Sequence, residues 1–368
     1  MKICCIFNMA PHYRMPIFSK MSENFDCDFY FGDQMQQPIK KLNYNELKGF
    51  KKEFHNVFIG NSFYWQRKSV RLAFKKYDYF LLSGEPFCIS FWFILLITKL
   101  LGKKTVAWTH GFYGRESGIK KFVKRTFFKL FKKIMVYTDY SIDLMKKEGI
   151  DSEKMYCIAN SLDTDNQLDI RKILKKTDIF TSHFGNDNPV IMYIGRIQKV
   201  KRLDLLVESF NKLKNEDVKC NLLIVGKDDE NVDLPKIINE LGLENSVWLY
   251  GPCYDEETIG EMFYNSAVCV SPGNVGLTSI HALTYGCPVV THDNFPYQMP
   301  EFEAITPDIT GSFFKMDDVS DLTEKIRFWL DKTPEERDKT RKLAYRIIDS
   351  KWNIHYQIEI MKKVFEYE

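Results

Sequence analysis

The sequence predicts an α/β protein built on parallel strands and organised in two halves, and three observations carry the prediction. Short apolar runs alternate with longer helical patterns along the whole chain, the signature of parallel strands joined by crossover helices. The length, 368 residues, suits two domains at roughly 150 residues each. A polar stretch rich in Asp, Asn and Ser, SLDTDNQLDIRKILKKTDIFTSHFGNDNP, separates two such alternating series, as a domain connection does.

Taken in order, the strands of the first half are expected at Lys2 to Phe7, Asp28 to Phe31, Tyr79 to Leu82, Thr105 to Trp108, Lys133 to Tyr137 and Met155 to Ile158. Each is a short apolar run with helical spacing on at least one side. The second half repeats the grammar: VIMYIG, a helix over 203–214, NLLIVG, a helix near 234–241, SVWLYG, a helix near 256–265, AVCVSP, a helix near 277–285, and CPVVTH. Residues 350–366 form a last amphipathic helix whose role periodicity cannot assign. The expected division is a domain over 1–165, a linker over 166–188, a domain over 189–345, and a C-terminal helix over 346–368 packing back on the first domain.

Composition excludes several classes. Hydrophobic residues make up 45%, charged residues 27% and aromatics 15%, with 19 Gly and 13 Pro, which is globular and not disordered or collagenous. With 52 basic and 49 acidic residues the net charge is only +3, too balanced for a chain whose main partner is nucleic acid. Nine cysteines, none spaced as CxxC, indicate neither a disulfide framework nor a zinc cage and fit a reducing cytoplasm. The opening MKICCIFNM reads as a strand and not as a signal peptide. The longest apolar stretch, Phe87 to Leu101, is short of the roughly 20 residues that span a bilayer, and its helix is expected in the core.

In parallel sheets, ligands sit beyond the carboxyl ends of the strands. The loops after Gly195, Gly226, Gly251 and Pro272 are therefore where chemistry is expected. In YIGRIQKVKRLDLLVESF, residues 193–210, Arg196 and Lys201 lie between a strand and a helix. Two cations there suit a diphosphate, although a solvated basic loop has the same composition. In SPGNVGLTSIHALTYGCPVV, Gly273, Asn274 and Gly276 open a helix whose first N–H groups make an anion site or serve plain packing.

Together these two segments resemble the family 4 (group 1) retaining glycosyltransferases of the GT-B fold, two Rossmann-like domains facing a cleft. The shared features are Gly195-Arg196, Lys201 five residues on, Gly276-Leu277, and Gly286-Cys287-Pro288-Val289-Val290. By resemblance, Arg196 and Lys201 hold the donor diphosphate, and the amides of Gly276, Leu277 and Thr278 complete the cradle. Gly195 and Asn274 lie against the donor and Gly251 near the base. There is a departure, because Gly273 and His281 stand where the family has two glutamates. His281 can still hydrogen-bond a hydroxyl, and Glu301 and Glu303 are the nearest carboxylates in sequence, although acidic loop residues are usually just solvated.

In the first half, NMAPHYR places His12 and Arg14 after the first strand, as contacts to phosphate or acceptor or as loop caps. In AWTHGFYGRESG, His110 follows an apolar strand and resembles the family's interdomain His that meets the transferred sugar; Asn160 matches a family Asn near the hinge. Residues 119–134, IKKFVKRTFFKLFKKI, fit either a helix lying in an anionic lipid interface or a core helix with a wet basic face. The triplets Asp26-Cys27-Asp28 and Asp163-Thr164-Asp165 could hold a metal, yet chance explains them, and no metal site or cofactor is expected. There is no GxSxG for a hydrolase and no GxGxxG for an NAD enzyme.

The resemblance implies a glycosyltransferase moving a sugar from a UDP- or GDP-linked donor to a glycan acceptor with retention and without metal. The implied context is bacterial surface polysaccharide assembly on a polyprenyl-diphosphate carrier, at the inner face of the cytoplasmic membrane. A non-catalytic nucleotide-binding scaffold and a metal-dependent transferase remain open.

Overall fold

The computed structural model describes residues 1–36 and 40–366. The chain divides into two compact units, Met1–Asp163 with Asn353–Glu368, and Thr164–Trp352.

The first unit contains β1 (Lys2–Phe7), β2 (Asp26–Gly32), β3 (Phe50–Phe54), β4 (Asn56–Ile59), β5 (Phe63–Gln66), β6 (Tyr79–Ser83), β7 (Lys104–Thr109), β8 (Lys133–Val136) and β9 (Met155–Cys157). Seven of these form one parallel sheet in the order β3-β2-β1-β6-β7-β8-β9, and β4 and β5 form an antiparallel hairpin. Alternation along β1 explains why both faces are covered. Ile3, Cys5 and Phe7 enter one apolar cluster, and Cys4 and Ile6 enter the other.

The edge strand of this unit escapes the sequence reading, whereas its last helix is found where the sequence places it, with the first unit. FKKEF, which is β3, exposes its three middle charged residues at the sheet edge, so its pattern looks like loop. The helix Ile354–Phe365 starts at Asn353, whose side chain accepts the N–H of Tyr356, and buries Ile358, Met361 and Val364 in the cluster that holds Ile3 and Phe7.

The second unit contains β10 (Val190–Ile194), β11 (Asn221–Val225), β12 (Val247–Gly251), β13 (Val268–Ser271), β14 (Val289–His292) and β15 (Gly311–Phe314), a parallel sheet in the order β12-β11-β10-β13-β14-β15. Residues 166–188, read as a linker, instead lie in this unit and largely in two helices, Thr164–Ile173 and Ile179–Phe184. Their apolar residues are few but placed to pack, with Ile170 and Phe180 buried. The expected C-terminal segment 346–368 is also divided: the helix Pro334–Ser350 and Trp352 stay with the second unit, and the chain crosses to the first at Asn353.

Both sheets reverse their strand order once, between β1 and β6 in the first and between β10 and β13 in the second. Those are the positions where loops leave in opposite directions and open a crevice at the carboxyl edge. Among the described residues no helix is long and apolar enough to cross a membrane.

Candidate functional site

The reversal point of the second sheet brings together the two segments singled out in the sequence. Gly195 ends β10 with φ +147, a conformation open to glycine, and its N–H donates to Val225. The chain then passes Arg196, which is exposed, and turns at Lys199–Lys201. From β13 the loop returns so closely that a Cβ on Gly273 would sit 2.1 Å from the carbonyl oxygen of Val200. The Gly273 N–H donates to the Lys201 carbonyl at 3.0 Å. This backbone contact explains the departure at Gly273: a glutamate side chain has no room there while the loops keep this spacing.

Lys201 reaches across the same contact. Its Nζ donates to both the carbonyl and the Oδ1 of Asn274, each at 2.6 Å. Burial, and then the neighbouring Arg196 charge, push its pKa down to about 8 against the opposing pull of Glu301. Lys201 is thus a dehydrated cation held in place beside a second cation. Thr278 Oγ1 donates to the Ile194 carbonyl at 3.3 Å, tying the next helix to the end of β10. In that helix's opening turn the N–H of Ser279 donates to Gly276 and that of His281 to Leu277, so the amides of Gly276, Leu277 and Thr278 lie ahead of the bonded turn.

A brace behind this loop was not foreseen. Buried Gln298 accepts the Val275 N–H at 2.9 Å and donates to Thr291 Oγ1 at 2.8 Å, and Thr291 donates to the Gly273 carbonyl at 3.0 Å. Glu301, an exposed acid in the sequence reading, is buried, and its carbonyl accepts Ser279 Oγ at 2.7 Å. Glu303 pairs with Lys351 at 3.1 Å.

His281 is not turned to open solvent. Its Nε2 lies 2.8 Å from Glu256 Oε1, which also accepts Tyr285 OH at 2.7 Å and Gln167 Nε2 at 2.9 Å. Burial alone would raise the Glu256 pKa, but His281, Tyr285 and Gln167 outweigh it and hold the carboxyl below its ordinary range. A carboxylate therefore does stand at the His281 position, supplied from the start of the helix Glu256–Asn265. Gly251, with φ +85, ends β12 at the sheet edge, two strands from β10.

In the first unit, Arg14 follows β1 and lies over the rings of Trp108 at 4.9 Å and Tyr137 at 5.3 Å while donating to Tyr137 OH. His110 follows β7, with its ring 4.7 Å from that of Tyr137. Burial, then the charges of Arg14 and Lys124, push its pKa down to about 3, so the imidazole is neutral. Its Nδ1 is buried with no hydrogen-bond partner among the described residues. His12 is exposed, with Nδ1 3.4 Å from the Lys40 carbonyl. Asn160 is buried and its Oδ1 accepts the Ser161 N–H at 3.0 Å.

Two features that the sequence left open have definite surroundings in the structure. Within 119–134, Phe127, Phe128, Phe131 and Ile134 belong to the core, leaving Ile119 and Phe122 as the exposed apolar residues, because one helix face packs on the sheet. Of the Asp-x-Asp triplets, Asp28 is buried and engaged by Lys2 at 3.0 Å, Lys51 at 3.3 Å and Tyr77 OH at 2.8 Å, which leaves it poorly placed for a metal.

Residues 175–347 match the family described as Glycosyl transferases group 1. Over 179 residues the chain is 24% identical to the alpha-D-kanosaminyltransferase of Streptomyces kanamyceticus, covering 48% of this chain and 46% of that protein. Over 173 residues it is 25% identical to the poly(ribitol-phosphate) alpha-N-acetylglucosaminyltransferase of Staphylococcus aureus (strain COL), covering 46% of this chain and 34% of that protein. These matches thus span less than half the length of either relative. Among solved structures, Anabaena Alr3699/HepE in complex with UDP superposes with a TM-score of 0.75 at 16% identity, covering 100% of both chains. The fold is that of the GT-B glycosyltransferases, and residues 175–347, just under half of the chain, are similar to the group 1 glycosyltransferases.

Proposed function

We propose that this chain is a glycosyltransferase that takes a sugar from a nucleoside diphosphate donor held by its second unit. The observation that carries the reading is the meeting of Arg196, Lys201 and the amides of Gly276 to Thr278 at the sheet's reversal point. A departing diphosphate gains negative charge as the glycosidic bond breaks, and fixed, dehydrated donors stabilise that charge more than water does. Lys201 meets that requirement, since Asn274 fixes it and burial strips its water. UDP is the first nucleotide to try, because the superposed Anabaena structure contains it. The acceptor is proposed to be a glycan hydroxyl, carried on a polyprenyl diphosphate, and transfer is proposed to retain configuration without a metal.

In the same reading Arg14, His12, His110 and Asn160 of the first unit serve the acceptor and the transferred sugar. The buried, unpartnered Nδ1 of His110 supports this, because an orphan ring nitrogen has a hydrogen bond to give or accept. His281, steadied by Glu256, is proposed to meet the donor nucleoside. The deciding experiment is isothermal titration with UDP, GDP and CDP, followed by turnover with the matching sugars. Arg196→Ala and Lys201→Ala are each expected to lower turnover about a hundredfold while the circular dichroism is unchanged. Normal turnover in both removes the assignment. Nucleotide binding without transfer or donor hydrolysis across a broad panel would make the chain a scaffold, and activity lost to EDTA and restored by Mn would make it metal-dependent.

A further inference from the structure

The helix Ile89–Leu100, ISFWFILLITKL, carries Lys99 as its single charge. A helix apolar on every side is ordinarily sealed inside a fold. This one packs on the core as expected, but it is sealed on one side only. Phe91, Ile94 and Leu95 are buried, whereas Phe93 (48% exposed), Leu96 (49%) and Leu100 (87%), spaced to share a face, are open. The surface continues on neighbouring elements. The hairpin of β4 and β5 rests its Trp65 ring 5.5 Å from Phe93 and exposes Ile59 and Phe63. The turn Ser69–Phe74 packs on the same helix and leaves Phe74 67% exposed.

Charge around this surface is of one sign. Residues 56–103 contain seven Lys and Arg against two carboxylates, Asp78 and Glu85. Asp78 is taken up by the Lys2 N–H, and burial raises the pKa of Glu85. Arg67, Lys68, Arg71, Lys75, Lys76 and Lys99 form no ion pair among the described residues.

We infer that this face docks on the surface of an anionic bilayer. The apolar side chains enter the boundary between headgroups and acyl chains, and the cations meet lipid phosphates. A helix of 12 residues is about 18 Å long, too short to span, so it lies in the plane of the interface. A second copy of the chain fits the face worse, because a two-fold contact would set this excess of cations against itself.

The test is flotation with vesicles of equal parts phosphatidylglycerol and phosphatidylcholine, against vesicles of phosphatidylcholine alone. No nucleotide sugar is present, so the outcome is independent of sugar transfer. The native chain is expected to float with the anionic vesicles only, with tryptophan emission shifted to shorter wavelength because Trp65 packs beside Phe93. The double variant Leu96→Ser, Leu100→Ser changes exposed positions, so circular dichroism should be unchanged while the bound fraction falls about tenfold. Arg71→Glu with Lys75→Glu should lose binding comparably. The inference is overturned if the native chain does not bind, if either variant binds as the native chain does, or if sedimentation shows a dimer that the leucine substitutions dissolve.

Discussion

Lys201 illustrates how one side chain can make a site pH-dependent. Its pKa in the folded chain is near 8, below its ordinary 10.5, because burial and Arg196 penalise the charged form. The unfolded chain therefore binds more protons between those values, and stability from this group rises as pH climbs through the window. Diphosphate binding has the opposite demand, since it needs the ammonium. Affinity for UDP is expected to fall as pH rises past about 8, and binding near pH 8 should take up protons, visible as buffer-dependent heats in titration calorimetry. An affinity flat from pH 7 to pH 9.5 would show that Lys201 does not touch the ligand. Glu256 makes the contrary case for legibility. Its partners lie 25, 29 and 89 residues away in sequence, at His281, Tyr285 and Gln167, so no local spacing marks it. Glu256→Gln keeps the shape and removes the charge, and is expected to cost about 1–3 kcal/mol, measured as a lowered urea midpoint.

At the scale of elements, the reversal-point loops were readable because each strand handed over to a loop at a glycine or proline, and because cations and glycines cluster there. Their mutual distance was not readable. Gly273 shows what that distance demands: the obstacle to a Cβ is backbone at Val200 and Lys201, which has no rotamer through which to escape. Gly273→Ala is expected to destabilise the second unit by about 1–3 kcal/mol and to shift Lys201 away from Asn274. Melting temperature and UDP affinity should fall together in this variant. Gly185→Ala is the comparison: the same substitution at φ +67 with nothing near its Cβ should cost stability without changing affinity. The edge strand β3 and the helices within 164–184 were missed for a related reason, since partly exposed elements carry too few apolar residues for periodicity to mark them.

For the whole molecule, two parallel sheets were legible as two series of apolar runs, and the return of the last helix to the first unit was expected, but the point at which the chain crosses was not. The chain leaves the first unit at Asp163 and comes back at Asn353, so the last helix completes a core begun by the first strand. Amphipathic spacing says that such a helix must cover something, and not what it covers. Its buried Ile354, Ile358, Met361, Val364 and Phe365 amount to about 8–15 kcal/mol at roughly 1.5–3 kcal/mol each, which is comparable to the entire stability of a domain. A chain ending at Trp352 is accordingly expected to lose the fold of its first unit, seen as strong binding of a hydrophobic dye and loss of near-ultraviolet dichroism. The ion pairs at the end of the same helix provide the control. Glu366 meets Lys104 at 2.7 Å and Lys133 at 2.8 Å, but it is exposed, and exposed pairs contribute little. Glu366→Ala should therefore leave the melting temperature nearly unchanged, whereas a large drop would mean that the helix is held by charge and not by its apolar face.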